Sequence, residues 1–151
     1  MLEGISKLLT GDMLKALCDM GHGDMLVIAD ANFPGERLAA ETTFGRLIRC
    51  PGTDVARLFA AISGIFPLDT AYTEYPASVM ELTDGDKARN MATPTAWTDY
   101  EEILRKRHPE QRLGHIERFQ FYERTRHAYV IIQTGEERQY GNLLLVKGCV
   151  L

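Results

Sequence analysis

The sequence predicts an α/β protein, with a mainly parallel or mixed sheet flanked by helices. Three observations lead to this class. Stretches with helical spacing of apolar residues alternate along the chain with short apolar runs. The run Met25–Ala29 has no polar interruption, which is typical of a strand covered on both faces. No linker or internal repeat divides the 151 residues, so we expect one domain over residues 1–151.

The first elements follow from caps and apolar spacing. Thr10 can cap a helix whose inward residues recur three and four positions apart. These inward residues are Met13, Leu14, Leu17 and Cys18. Gly21 is predicted to end that helix in a left-handed conformation. After the strand Met25–Ala29, the loop-forming residues at 32–35 predict a connection.

The middle of the chain predicts a strand, a helix and a second strand. Residues 46–50, "RLIRC", form the first strand candidate. Thr53 or Asp54 then caps an amphipathic helix over "VARLFAAISGIF". Its predicted inward side chains are Val55, Leu58, Phe59, Ile62 and either Ile65 or Phe66. Residues 77–82, "ASVMEL", predict the next strand.

The last third predicts two helices followed by two strands. One helix runs through "WTDYEEILRKRH" after Thr95, and the other covers "IERFQFYERTRHA". In the second helix, Phe119 and Phe121 are expected in the core. The strands are "YVIIQT" and "LLLVKG", joined by the turn-like segment "GEERQYGN".

Composition and charge narrow the class of function. Hydrophobic residues make up 45% and charged residues 25%, as in ordinary globular proteins. No apolar run approaches the ~20 residues that span a bilayer, which predicts no membrane segment. The net charge of −4 and the scattered basic residues predict no nucleic-acid partner. The N-terminus lacks the pattern of a signal peptide, so the cytoplasm is the expected location.

The three cysteines are Cys18, Cys50 and Cys149. Their number is odd, they lie far apart, and no Cys-x-x-Cys pair is present. This spacing predicts reduced, mostly buried thiols, and it suggests neither a disulfide framework nor a zinc site.

Two polar residues flank the strand Met25–Ala29. Asp30 follows it, where polar groups commonly line the ligand crevice of an open α/β sheet, but an Asx-turn into the following loop explains an aspartate equally well. His22 precedes it between two glycines, and an imidazole can exchange protons near neutral pH. The simpler alternative is a histidine that contacts the end of the preceding helix. A metal site from His22, Asp24 and Asp30 lacks a recognisable ligand spacing.

Two later motifs offer polar groups suited to polyhydroxylated ligands. Arg118 and Tyr122 are four residues apart, hence on one helical face, although a surface cation beside a half-buried aromatic ring is the alternative. Tyr140 and Asn142 flank Gly141 before a strand, where an ordinary turn is an equal explanation.

The strand creates a geometric problem for a site that uses both of its flanking residues. Eight residues of extended chain would place His22 and Asp30 about 26 Å apart. A small-molecule ligand cannot contact both. Either the chain bends sharply at Gly23, or one site takes these two residues from different subunits.

Taken together, these segments resemble the ribose pyranase and L-fucose mutarotase family, also called the RbsD/FucU family. The likeness runs through "MLEGISKLLTGDMLKALCDMGHGD", "DANFP", "FPLDT", "RFQFYER" and "TGEERQYGNLLLVKG". "RFQFYER" and "YGN" resemble the fucose branch more than the ribose branch. In the "DANFP" segment, Asn32 stands where many bacterial members of the fucose branch have a second histidine.

The resemblance implies an enzyme without a cofactor or a metal that interconverts the α and β anomers of a free sugar, L-fucose first. It implies a catalytic role for His22 as proton donor and for Tyr122 as a second acid/base group. Its sugar-binding positions are Asp30, Asp69, Arg118, Tyr140, Gly141 and Asn142. It also implies a homo-oligomer, often a ring-like decamer, with sites near subunit contacts. The alternatives are a mutarotase for ribose or another sugar, a non-catalytic sugar-binding regulator and, more distantly, a metal-dependent hydrolase.

Overall fold

A computed structural model describes residues 2–150, and that range contains six strands and six helices. The strands are β1 (Met25–Ala29), β2 (Ile48–Cys50), β3 (Ala77–Met80), β4 (Gly114–Ile116), β5 (Val130–Thr134) and β6 (Leu143–Val146). The helices are α1 (Gly11–Asp19), α2 (Gly35–Ala39), α3 (Val55–Ile62), α4 (Asp84–Ala88), α5 (Thr95–Arg107) and α6 (Arg118–Arg126).

The six strands form one mixed sheet in the order β2-β5-β1-β6-β3-β4. β1 is parallel to β5, β5 to β2, and β3 to β4, whereas β6 is antiparallel to both of its neighbours, β1 and β3. Strands β1 to β5 therefore end at the same end of the sheet, where β6 begins. We call this the carboxyl end of the sheet, and the opposite one the amino end.

Helices cover both faces of the sheet, as the uninterrupted apolar run of β1 predicts. Leu26 and Ile28 pack in a core with residues of α1, α3 and α5. Val27 and Ala29, which alternate with them, pack in a second core with residues of α2 and α6. The predicted α/β class with a mixed sheet is confirmed.

The predicted helix starts and inward faces are largely confirmed. The Thr10 hydroxyl accepts a hydrogen bond from the backbone of Met13 at the start of α1. Asp54, rather than Thr53, caps α3. After α3, Phe66 is buried and Ile65 is exposed, which settles the alternative between them.

Several local predictions are wrong, each for a physical reason. Gly21 is not left-handed, because the turn after α1 places that conformation at Gly23, whose φ is +83°. Phe119 is 76% exposed, because α6 begins at Arg118 and directs Phe121 inward instead. Thiols are not mostly buried: Cys18 lies on the outer side of α1, where it is exposed.

Cys149 is also exposed, beyond the end of β6, and Cys50 is partly buried at the end of β2. The sequence patterns do not predict the short elements α2, α4 and β4. Helix α2 begins inside the expected loop. Within residues 2–150, no helix is both long and apolar enough to cross a bilayer.

Candidate functional site

A pocket of about 380 Å³ opens at the carboxyl end of the sheet. Sites for small molecules usually enclose roughly 300–1,000 Å³. Five of the residues expected to bind or convert the sugar line this pocket: Asp30, Arg118, Tyr122, Tyr140 and Asn142. They come from the end of β1, from α6 and from the segment before β6, so the fold brings together residues that are far apart in the chain.

Asp30 and Asn142 join the end of β1 to the beginning of β6. The Asn142 amide nitrogen donates to Asp30 Oδ2 at 2.8 Å, and its oxygen accepts from the Asp30 backbone at 2.9 Å. Asp30 Oδ1 also accepts from the backbone of Asn32, which is the expected Asx-turn. Burial raises the pKa of Asp30, against these hydrogen bonds. Asp30 therefore both shapes the loop and lines the pocket.

Arg118 and Tyr122 form the wall of the pocket on α6. The Arg118 guanidinium carbon lies 5.9 Å from the centroid of the Tyr122 ring. A hydrogen bond to the Tyr122 oxygen raises the pKa of Arg118. The ring of Tyr122 packs against Phe33 with centroids 5.6 Å apart. The pocket thus holds a guanidinium, which only donates hydrogen bonds, and a phenol, which can donate or accept them.

Tyr140 is held in an uncommon backbone conformation beside this wall. Its φ is +59°, a value that costs energy in any residue other than glycine. Two donors from α5 fix the peptide groups there: the Trp97 indole bonds the Tyr140 carbonyl at 2.9 Å, and the Tyr100 hydroxyl bonds the Gly141 carbonyl at 2.7 Å. Gly141 itself does not line the pocket, and it leaves no room for a side chain, because a Cβ there would come within 2.7 Å of Glu136.

His22 and Asp69 lie at the amino end of the sheet instead. His22 Nε2 is 3.3 Å from Asp69 Oδ1, and the imidazole meets the Tyr72 ring edge-on with centroids 5.3 Å apart. The Asp69 backbone bonds Val146 at the end of β6. The hydroxyl of Thr73, together with His22, lowers the pKa of Asp69. These two residues form a second polar group, away from the pocket.

The contacts of His22 argue against the simpler of its two alternatives, a histidine at the end of α1. Lys147, and not His22, caps the end of α1, because its ammonium donates to the carbonyls of Leu17 and Met20. The chain does bend at Gly23, but His22 still contacts residues that do not line the pocket around Asp30. Within residues 2–150, no group of three His, Cys, Asp or Glu side chains is arranged to hold a metal ion.

Several lining residues were not singled out from the sequence. They are Phe33, Met80, Asp86 and Gln139, whereas Asn32, which the sequence comparison with the family had already singled out, lines the pocket as well. Asp86 is the charged member, and hydrogen bonds from Thr83 and Tyr140 lower its pKa to about 2. A threonine three residues before an aspartate is a helix-start signal, and it could have drawn attention to this segment.

The arrangement at the carboxyl end suits recognition of a small polyol. It presents carboxylate acceptors, a guanidinium donor and two phenols within one pocket. Phe33 and Met80 add apolar surface for the carbon skeleton. A phenol can also pass a proton, so the pocket provides both anchors and an acid/base group.

Comparisons with known proteins agree with the sequence resemblance. Residues 3–150 match the model of the RbsD / FucU transport protein family. The fucose mutarotase of Homo sapiens is 46% identical over 147 residues, which are 97% of this chain and 93% of that protein. The FucU protein of Bifidobacterium longum has a TM-score of 0.90 at 38% identity, covering 99% of this chain and 100% of that one.

A third relative was solved with a sugar bound. It is the fucose mutarotase of Streptococcus pneumoniae in complex with L-fucose, with a TM-score of 0.87 and 35% identity. The match covers 99% of this chain and 100% of that one. Since both the family model and these relatives span nearly the full length, the chain belongs to the RbsD / FucU family.

Proposed function

We propose that the protein is an L-fucose mutarotase, an isomerase that interconverts the α and β anomers of the free sugar without a cofactor. The observation that carries this proposal is the grouping of Asp30, Arg118, Tyr122, Tyr140 and Asn142 in one pocket of suitable size. A fucose mutarotase is a relative with 46% identity over nearly the whole chain, and another relative was solved with L-fucose bound, so L-fucose is the substrate we propose.

The reaction needs only proton transfers. A base removes the proton from the anomeric hydroxyl, an acid protonates the ring oxygen, and the bond between that oxygen and the anomeric carbon breaks. The aldehyde then rotates, and the ring closes on its other face with the proton movements reversed. General acid–base catalysis contributes about 10²–10⁴-fold, which suffices for a reaction that already proceeds in water.

Within this proposal, Tyr122 and His22 are the acid/base groups. Tyr122 lines the pocket, and its position beside Arg118 supports such a role. His22 keeps 43% of its side chain exposed and is held by Asp69, so it can meet a ligand outside its own chain. Asp30, Arg118, Tyr140 and Asn142 anchor the sugar, while Gly141 supports their backbone.

A site completed by a second copy of the chain reconciles these positions. His22 lies at the amino end of the sheet and the pocket at the carboxyl end, separated by the length of β1. Tyr72 beside His22 is 81% exposed, and Phe119 beside Arg118 is 76% exposed, so both ends offer apolar surface. The proposed assembly is a ring-like homo-oligomer, for which a decamer is the expected size. Sedimentation of a fully active monomer would contradict it.

Exchange NMR on equilibrated sugar tests the function. We expect the protein to accelerate exchange between the anomers of L-fucose, and to act less on D-ribose at the same concentration. The variant Tyr122→Phe keeps the ring and its packing but loses the hydroxyl, so exchange should slow by about 10²-fold or more. Activity should persist in excess chelator, because the proposed steps use only side chains.

The alternatives have distinct outcomes in the same measurement. Saturable binding of L-fucose without faster exchange would favour a non-catalytic sugar-binding protein. Faster exchange of D-ribose than of L-fucose would favour the ribose alternative. The cytoplasmic location stays a prediction, and fractionation of cells that produce the protein measures it.

A further inference from the structure

Asp86, on the short helix α4, makes a side-chain contact with Tyr140 in the pocket wall. The Tyr140 hydroxyl donates a short hydrogen bond to Asp86 Oδ2. The Thr83 hydroxyl donates to the same oxygen at 2.5 Å, and the Arg89 guanidinium donates to Oδ1 at 2.9 Å. Both carboxylate oxygens of Asp86 are therefore occupied by groups of the protein.

The direction of the hydrogen bond between Tyr140 and Asp86 follows from their chemistry. An ionised carboxylate only accepts, so the single phenolic proton of Tyr140 points at Asp86. The backbone N–H of Thr83 approaches the same phenol oxygen at 3.4 Å, and it can only donate. The Tyr140 oxygen consequently has no proton left to give to a ligand in the pocket.

The backbone of Tyr140 is fixed as firmly as its side chain. The indole of Trp97 and the hydroxyl of Tyr100 hold the carbonyls of Tyr140 and Gly141. Asp86 then determines where the phenol oxygen lies. It also determines that a lone pair of this oxygen, rather than its proton, faces the pocket. Residues held in such sparsely populated backbone conformations cluster at active sites and ligand-binding sites.

We infer that Asp86 is a positioning residue that commits the proton of Tyr140, so that the phenol oxygen meets a sugar hydroxyl as a hydrogen-bond acceptor. This inference deepens the proposed function and rests on it for the identity of the sugar. Asp86 acts through Tyr140 and need not contact the ligand. Arg118, in the same wall, provides the opposite polarity as a donor only.

The link between Asp86 and Tyr140 can be measured without any sugar. Tyrosine labelled with ¹³C at Cζ gives a signal whose shift reports hydrogen bonding of the phenol, and Tyr140→Phe identifies the signal of Tyr140. We expect Asp86→Ala to shift that signal. Asp84→Ala removes an equal charge from the exposed side of the same helix and should leave it in place. Alanine favours helix, and thermal melting checks that α4 and the fold persist.

Sugar binding then tests the consequence. Asp86→Ala should raise the dissociation constant of L-fucose about 5- to 10-fold, the effect of one hydrogen bond. The maximal exchange rate should change much less, because Tyr140 anchors the sugar rather than moving its protons. In the Tyr140→Phe background, Asp86→Ala should have little further effect on binding, since its action passes through the lost hydroxyl.

The outcomes separate this inference from the proposed function. An unchanged Tyr140 signal in Asp86→Ala would overturn the inference. So would an equal loss of binding in the wild-type and Tyr140→Phe backgrounds, which would mean that Asp86 acts independently. If the Tyr140 signal shifts but wild-type protein neither binds L-fucose nor accelerates its exchange, the proposed function fails while the positioning of Tyr140 by Asp86 stands.

Discussion

The two ends of the sheet differ in how firmly their candidate site residues are held. At the carboxyl end, Asn142 locks Asp30, and α5 donates to consecutive carbonyls at Tyr140 and Gly141. The Gln133 amide also donates to three carbonyls of the loop after β1.

At the amino end, Lys147 fixes the backbone before His22, but the imidazole itself contacts Asp69 and Tyr72 from an exposed position.

This difference matches two kinds of chemical work. Selecting a sugar requires donors and acceptors at fixed places, which the hydrogen bonds of the carboxyl end provide. Moving a proton requires a group that reaches the reacting atoms, and in the proposed shared site His22 does so in the pocket of another copy. Binding and proton transfer are therefore expected to respond to different variants.

The largest expected effect is the separation of rate from binding at the amino end. His22→Ala should slow anomer exchange of L-fucose by about 10²–10⁴-fold, because it removes an acid/base group. The dissociation constant of L-fucose should change far less, since the pocket residues remain. Exchange NMR measures the rate, and calorimetric titration measures binding.

A matched histidine provides the control for that variant. His127 lies exposed at the end of α6, paired with Glu123, and His127→Ala should leave exchange unchanged. If His22→Ala weakened L-fucose binding as strongly as it slowed exchange, the division of work between the two ends would be wrong.

A smaller effect is expected from loosening the carboxyl end. Tyr100→Phe leaves the buried Gly141 carbonyl without its donor, so the free energy of unfolding should fall by about 1–3 kcal/mol. Urea denaturation measures the loss. Tyr75→Phe, on an exposed ring, should stay within about 0.5 kcal/mol of the wild type. Equal effects from both variants would mean that the phenol of Tyr100 does not hold this end.

The smallest expected effects concern stability in acid, because the pKa shifts of Asp30 and Asp69 have opposite signs. Burial raises the pKa of Asp30, whereas hydrogen bonds from Thr73 and His22 lower that of Asp69. A raised pKa contributes stability that is full below the ordinary value of 3.8 and is lost as pH rises through the folded pKa. A lowered pKa contributes stability that is full above 3.8 and is lost as pH falls through the folded pKa.

Asparagine variants of Asp69 and Asp30 measure these opposite effects on stability. The stability that Asp69→Asn loses relative to the wild type should be largest above pH 3.8 and shrink in stronger acid. The free energy of unfolding of Asp30→Asn should rise relative to that of the wild type as pH rises above 3.8, because only the wild type loses stability there. Urea denaturation across the acid range gives both differences, and trends of the same sign would contradict the contrast.

Much of the fold could be predicted because its long elements carry strong patterns. The apolar run of β1 and the caps at Thr10 and at either Thr53 or Asp54 predicted three elements. Strand β4 has three residues with an exposed His115 in the middle, and α4 has no buried side chain, so neither presents apolar periodicity. Such elements form because their neighbours are already in place, which a local pattern does not contain.

The part of the candidate site that directly follows a strand could be predicted from the sequence. Asp30 was placed by its position after β1, whereas grouping it with Arg118 and Tyr140 needed the family resemblance. The contact of His22 with Asp69 depends on how β6 ends beside the loop at Asp69, which spacing alone cannot give. Asp86 was missed because its role comes from one long-range contact with Tyr140.

Mixing two inactive chains tests the shared site most directly. His22→Ala and Tyr122→Phe chains are produced together in equal amounts, so that oligomers contain both. If each site takes His22 from one copy and Tyr122 from its neighbour, random assembly makes about one quarter of the sites intact, and about a quarter of wild-type exchange activity returns. If mixed oligomers are no more active than the separate variants, the two groups do not meet across a subunit contact, and the account is contradicted.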